Sequence, residues 1–387
     1  MDSETQRIYP SNNPSIKYMQ KKEKKNSKII IFLTIVSFLI FIIIGIYLFF
    51  CKINTKKKNF IYNKEEVNTN QNKEGLFYDE FDQNILELYK KNQIFFCKNK
   101  KLMRNDEYEE NIQLISVRFL SENFNLYAYK KNDIVSSQIY KSQTWETVET
   151  QNMLSALQFY SSRKEKSKKE IYVLDIGSNI GWHSFILGKF GYNIISFETS
   201  KMNNYILNKN FCLNNNLNII LIKKGLYSEE KICSSYVSRD NIGDEIIFCE
   251  NNETIPQNYK KNGKTYLTVL DKYISFLSKN NLALIKIDIE GNEGKAFEGG
   301  IKLLTKYNVP FIFLEFNKES LIHHGTDPKQ LLELFRNHGY KFKKYNFFEN
   351  HLMTIDEILN YKDECFNLYI THSNILKNYK ANRFFLF

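Results

Sequence analysis

The stretch VLDIGSNIGWHSF, residues 173–185, decides how the rest of the chain is read. An apolar run closes on Asp175, Gly177 and Gly181 follow four residues apart, and a new apolar pattern starts at Trp182. That order predicts a strand, a tight turn and a helix, with glycines that let main chain approach a ligand closely. Similar punctuation continues downstream. NIISFETS (193–200), NIILIKKGLY (218–227), ALIKIDIEG (283–291) and PFIFLEFN (310–317) read as strands. The segments at 202–216, 298–307 and 327–339 read as helices, the last with Asp327 as its cap, Pro328 in its first turn and Gly339 as its stop. Two alternating strands, 340–346 and 365–372, come last. Near-continuous apolar strands separated by helices imply an α/β fold, a mostly parallel sheet with helices on both faces. The closing pair implies a hairpin-like edge. The stretch between the strands 218–227 and 283–291 reads as an irregular middle, and residues 76–144 as an α+β extension without a motif, ahead of a main domain at 145–387.

In open α/β sheets ligands bind beyond the carboxyl ends of the strands, where the Asp175 turn falls. Glu198 ends the next strand, and a carboxylate there can accept both hydroxyls of a ribose. A glycine turn followed by such an acid is the pattern of an adenosine site. A dinucleotide fold wants G-x-G-x-x-G, whereas this turn is D-x-G-x-N-x-G, with Asn179 in place of the middle glycine. That weakens NAD or FAD and favours a cofactor without a pyrophosphate, such as S-adenosylmethionine. The competing reading is a purely structural strand-to-helix turn.

The turn, followed in order by YLTVLDKY (266–273), LALIKIDIEGNEGKAFEGGIKLL (282–304) and PFIFLEFN, resembles the FkbM-type methyltransferases over roughly residues 145–375. The resemblance implies a Rossmann-like class I methyltransferase fold and S-adenosylmethionine as cofactor. Its acceptor would be a hydroxyl of a glycan or small polar molecule. It also implies a cofactor loop of Asp175, Gly177, Ser178, Asn179 and Gly181, with Glu198 on the ribose. Asp240 and Asn241 would lie near the adenine edge, and Asp288 and Glu290 would face the transferable methyl. Ser178 stands where the family often has Ala, and Thr199 where it often has Pro; neither departure removes chemistry.

Methyl transfer to oxygen needs alignment and a base for the hydroxyl proton. Asp288, Glu290 and His324 are the candidate bases, since all three follow strand ends on the same rim. Glu315, Asn317 and His323 share that rim, and His183, opening a helix, suits packing or capping better than catalysis. No ligand spacing demands a metal, although Asp288, Glu290 and Glu315 together could hold one. Two rival readings remain. A membrane-tethered glycosyltransferase could use Asp288 and Glu290 as a loose D-x-D pair, but leaves the glycine turn and Glu198 without a task. A non-catalytic cofactor-binding scaffold would bind ligand and label no acceptor.

The chain has 387 residues and a net charge of +11, but residues 1–75 hold 13 Lys/Arg against 6 Asp/Glu, which leaves +4 for the rest. The basicity is mostly a tail property, which argues against a nucleic-acid partner. Residues 29–51 form an uncharged run of 23, long enough to cross a bilayer as a signal anchor. A cleaved signal peptide would have a shorter apolar region and a small-residue cleavage site. The run separates a basic tail (1–28) from a Lys- and Asn-rich stem (52–75). The slight excess of lysine on the N-terminal flank favours a cytosolic tail and a lumenal main domain in the secretory pathway, ER or Golgi. A cytosolic main domain stays open, and the sequon at Asn252 adds little. Six cysteines show no C-x-x-C; Cys233 and Cys249 either pair or stay as buried thiols.

Overall fold

Thirteen strands organise the structure, a computed structural model that describes residues 83–99, 105–249, 254–277 and 281–375. In chain order the first five are β1 (Ile112–Phe119), β2 (Glu122–Tyr129), β3 (Tyr172–Ile176), β4 (Asn193–Phe197) and β5 (Ile219–Ile222). Next come β6 (Gly225–Leu226), β7 (Lys231–Ser238), β8 (Glu245–Phe248) and β9 (Tyr259–Thr268). The last are β10 (Leu282–Ile287), β11 (Phe311–Asn317), β12 (Tyr340–Lys343) and β13 (Cys365–His372). The expected tail, span, stem and sequon asparagine lie outside the described residues. Among the described residues no helix is long and apolar enough to cross a membrane.

Seven strands form the main sheet in the order β12-β13-β11-β10-β3-β4-β5. All pairings are parallel except those of β13, which runs antiparallel to both β11 and β12. The closing pair therefore edges the sheet as the alternation of 340–346 and 365–372 suggests. The last strand, however, inserts between β11 and β12 instead of lying outermost. Apolar side chains on these strands are buried on both faces because helices cover both. Val173, Ile194, Leu284 and Phe313 point into one core with the helices Thr147–Lys164, Trp182–Lys189 and Lys201–Leu213. Leu174, Ile195, Ile285 and Leu314 point into the other, with the helices Glu293–Glu298 and Pro328–Asn337. Burying such side chains stabilises by roughly 1.5–3 kcal/mol each.

The chain runs outward from β3 through β4 to β5, then returns to β10 on the other side of β3. This reversal opens a crevice at the carboxyl ends of β3 and β10, the general place for a ligand in such sheets. The irregular middle proves to be a second sheet of four strands, ordered β6-β9-β7-β8. It stands over that crevice. The extension upstream of 145 contributes the hairpin β1–β2, whose Val117, Phe119, Leu126 and Ala128 are buried in the first core. The described residues all belong to one compact unit. Two disulfides cross-link it: Cys233–Cys249 joins β7 to the end of β8, and Cys97–Cys212 ties the helix Gln83–Lys98 to the helix Lys201–Leu213.

Candidate active site

The turn after β3 is held by its own hydrogen bonds. The N–H groups of Gly177 and Ser178 both donate to the Phe197 carbonyl, at 3.0 and 3.1 Å. Asn179 N–H donates to Glu198 Oε2 at 2.8 Å, Ile180 N–H to Asn179 Oδ1 at 2.7 Å, and Gly181 N–H to the Ser178 carbonyl at 2.8 Å. Gly177 has φ +76°, and a Cβ there would run into the Asp288 carbonyl oxygen, so only glycine fits. Asn179 is also left-handed, at φ +50°, a conformation asparagine tolerates better than most residues.

Glu198 is buried beneath this turn and accepts three backbone N–H groups, from Asn179 on Oε2 and from Thr199 and Ser200 on Oε1, each at 2.8 Å. Burial nevertheless raises its pKa to about 7. A carboxylate has about four lone-pair directions, so Glu198 retains capacity on Oε2 for one further donor, where the sequence suggested a pair of ribose hydroxyls.

Gly177, Asn179 and Glu198 line one cleft with Phe197, Thr199, Asn203 and Asn241 at its turn end, and Asp288, Glu290 and Glu315 at its rim. Asp175, Ser178 and Gly181 act from below. Asp175 is 1% exposed and accepts from Ser184 Oγ at 2.5 Å. Ser178 Oγ donates to the Asp175 carbonyl at 2.8 Å, and Gly181 opens the next helix at φ +94°. Asp240 is a correction: it is exposed and does not line the cleft, whereas Asn241 does and accepts from Ile134 N–H at 3.0 Å.

The rim is a different environment. Asp288, Glu290 and Glu315 each bring one oxygen within 4.8 Å of the others, a set that could hold a divalent cation. Lys286, one residue before the end of β10 and 4% exposed, reaches under the turn. Its Nζ donates to the Gly177 carbonyl at 2.9 Å and to Asp288 Oδ2 at 3.2 Å, and lies 4.0 Å from Asp175 Oδ1. Burial alone would lower its pKa, but Asp288 and Asp175 hold it above the usual lysine range. Burial pushes Asp288 up, but the Lys286 ammonium and a hydrogen bond from Glu315 together more than reverse that, so Asp288 stays ionised. Glu315 is raised to about 10, first by Asp288 and then by burial. Glu290 is raised well above the carboxylate range by burial and by Asp288 and Asp244. Like charges this close cannot all ionise, so two of the three acids hold protons at neutral pH.

Glu290 is placed by a strained loop. Its φ is +57°, the following Gly291 has φ +100°, and Glu293 Oε1 accepts the N–H groups of Ile289 and Gly291 at 2.8 and 3.3 Å. His324, the third expected base, is a further correction. Its Nδ1 sits 2.9 Å from the Ser320 carbonyl, its ring stacks on Phe248 from the second sheet, and it does not line the cleft. His323 packs edge-on against the same Phe248. His183 does more than open its helix: its Nε2 lies 2.8 Å from Glu146 Oε2, and Glu146 lines the cleft. Neither Glu146 nor Lys286 stood out in sequence. A lysine in the otherwise apolar LALIKI was the available signal for the second.

Residues 175–342 match the family model of the methyltransferase FkbM domain. No curated protein matches. Among solved structures, the bifunctional kinase-methyltransferase WbdD is similar at 12% identity and a TM-score of 0.37, over 61% of this chain and 41% of that one. This chain thus spans well under half of the WbdD chain. A SAM-dependent methyltransferase from Agrobacterium tumefaciens is similar at 11% identity and a TM-score of 0.31, over 67% of this chain and 69% of that one. The plantazolicin methyltransferase BpumL in complex with SAH is similar at 14% identity and a TM-score of 0.30, over 62% and 88%. The glycine turn, the acid-ended second strand and the acid rim all lie inside the span, 175–342, that matches the methyltransferase FkbM domain.

Proposed function

We propose that the domain transfers a methyl group from S-adenosylmethionine to a hydroxyl oxygen of a glycan or small polar molecule. The observation that carries this reading is the state of the turn. All five N–H groups from Gly177 to Gly181 already have protein acceptors, so none is left to bind a diphosphate. Seven carboxylates also line the cleft (Glu146, Glu198, Asp244, Glu245, Asp288, Glu290 and Glu315), against Lys224 as the one basic lining residue. Such a site suits a nucleoside with positive charge and repels a pyrophosphate.

Gly177, Asn179 and Glu198 would hold the nucleoside, with Glu198 Oε2 accepting one ribose hydroxyl. S-adenosylmethionine, when bound, supplies a methyl on positively charged sulfur that needs no further activation. Lys286 fixes the turn to the rim, because one ammonium binds both the Gly177 carbonyl and Asp288. Protonated Glu315 donates to Asp288, which leaves protonated Glu290 to donate to an acceptor's oxygen, an arrangement fit to orient a hydroxyl compound.

The two disulfides favour an oxidising compartment and so a lumenal main domain behind the anchor at 29–51. Protease protection of sealed microsomes checks that orientation; digestion of the main domain in intact vesicles would reverse it. Calorimetry checks the cofactor. S-adenosylmethionine should bind in the micromolar range, and a nucleotide sugar with manganese should not; the opposite outcome would establish the glycosyltransferase reading.

A further inference from the structure

We infer that Glu146, steered by His183, is the base that takes the acceptor's hydroxyl proton, an inference that rests on the methyl-transfer reading. Glu146 lies outside the family match at 175–342 and beside Trp145, which also lines the cleft. Its backbone is left-handed, φ 39° and ψ 55°, a conformation that glutamate adopts only at a cost. It precedes the helix Thr147–Lys164, yet its carboxylate makes no cap on that helix. The side chain turns instead to His183, whose Nε2 is 2.8 Å from Oε2.

His183 is 5% exposed and its ring is boxed in. Nδ1 lies 3.3 Å from Thr150 Oγ1, which donates to the Glu146 carbonyl at 2.8 Å and accepts from Trp182 Nε1 at 3.3 Å. The imidazole therefore has one orientation and holds one carboxylate oxygen. Glu146 Oε1 has no partner among the described residues and belongs to a cleft-lining side chain that is 26% exposed.

Each of the other carboxylates has partners of its own or keeps its proton. Glu198 holds three N–H groups, Glu293 two, and Asp288 an ammonium. Asp244 accepts from Tyr259 on Oδ2 while its Oδ1 is buried out of reach of the cleft space, and Glu245 accepts from Asn262. Glu290 and Glu315 keep their protons. Glu146 reaches the same reaction space, since it lines one cleft with Asp288, Glu290 and Glu315. In the step, Glu146 Oε1 takes the hydroxyl proton while an oxygen lone pair forms the bond to the methyl carbon. The sulfur–methyl bond breaks with its pair remaining on sulfur. A methyl ether, a neutral thioether and protonated Glu146 result. Glu146 is thus a catalytic residue, and His183 a positioning residue.

The test uses the full chain, tritiated-methyl S-adenosylmethionine and the neutral-glycan fraction of a cell extract. Glu146→Gln should bind S-adenosylmethionine within twofold of wild type in calorimetry and transfer label about 100-fold more slowly. Glu146→Asp should recover part of the rate. His183→Asn should lower kcat about tenfold with KM for S-adenosylmethionine unchanged. Glu146→Asn, which suits left-handed backbone, replaces the glutamine variant if that one does not fold. Unimpaired transfer by Glu146→Gln, or loss of cofactor binding in step with rate, overturns the role of Glu146 alone. A wild-type protein that binds no S-adenosylmethionine, or binds it and labels nothing, overturns the methyl-transfer reading and this inference with it.

Discussion

The turn at 177–181 and the rim at 288–315 face one cleft, yet they settle their polar groups in opposite ways. In the turn each main-chain donor has one acceptor, and the geometry has no slack: an added methyl at Gly177 would strike the Asp288 carbonyl. At the rim three acids and one ammonium share too few protons, and binding a proton or a ligand redistributes them. The difference teaches which half is a mould and which is a reactive surface. A fully satisfied network rigidifies, while a partly satisfied one is available for work.

Substitutions can break this contrast, and the largest effects should fall on the mould. Gly177→Ala should abolish S-adenosylmethionine binding, a loss of more than about 100-fold in calorimetry, because neither the left-handed φ nor the Asp288 main chain can give. Asp175→Ala should also abolish cofactor binding. It removes the carboxylate that Ser184 bonds and weakens the compensation of buried Lys286, with a stability loss of about 3 kcal/mol in urea unfolding. Retained binding in both variants would remove the turn from the cofactor site.

At the rim the effects should move from binding to rate. Glu290→Ala should leave cofactor affinity within about threefold and slow labelled transfer about 10- to 100-fold. Equal binding losses in Glu290→Ala and Asp175→Ala would erase the distinction between the two regions. The smallest effect is a slope. Glu315 keeps its proton up to about pH 10 when folded and releases it near 4.5 when unfolded. The folded state therefore binds the extra proton between those values, and the stability it contributes, full below about pH 4.5, is lost as pH rises toward 10. Glu315→Gln should flatten thermal stability across that window; an unchanged slope would mean that another group carries it.

Legibility followed the physics of burial. Strands β3, β4, β5, β10 and β11 were readable because a strand covered on both faces must be apolar throughout. The second sheet was not, because it mixes polar and apolar residues: YKKNGKTYLT in β9 is rich in Lys, Asn and Gly, residues of poor strand propensity that pair there because β7 and β6 flank them. That omission explains His324, which is drawn from the cleft by a ring on unforeseen β8. It also explains Asp240, where the neighbouring Asn241 is the one turned inward. Glu146 was hidden for another reason. TWETVET reads as a plain helix start, and its partner His183 lies 37 residues on, joined to it only in three dimensions.

The Cys97–Cys212 link spans 115 residues. During synthesis the first of these thiols therefore emerges long before its mate. The helix that bears it cannot be clamped until β1 to β4 and the glycine turn have already left the ribosome. The clasp is a late fastening on a framework that must first take shape without it, and in that interval the waiting sulfur is open to any other thiol nearby.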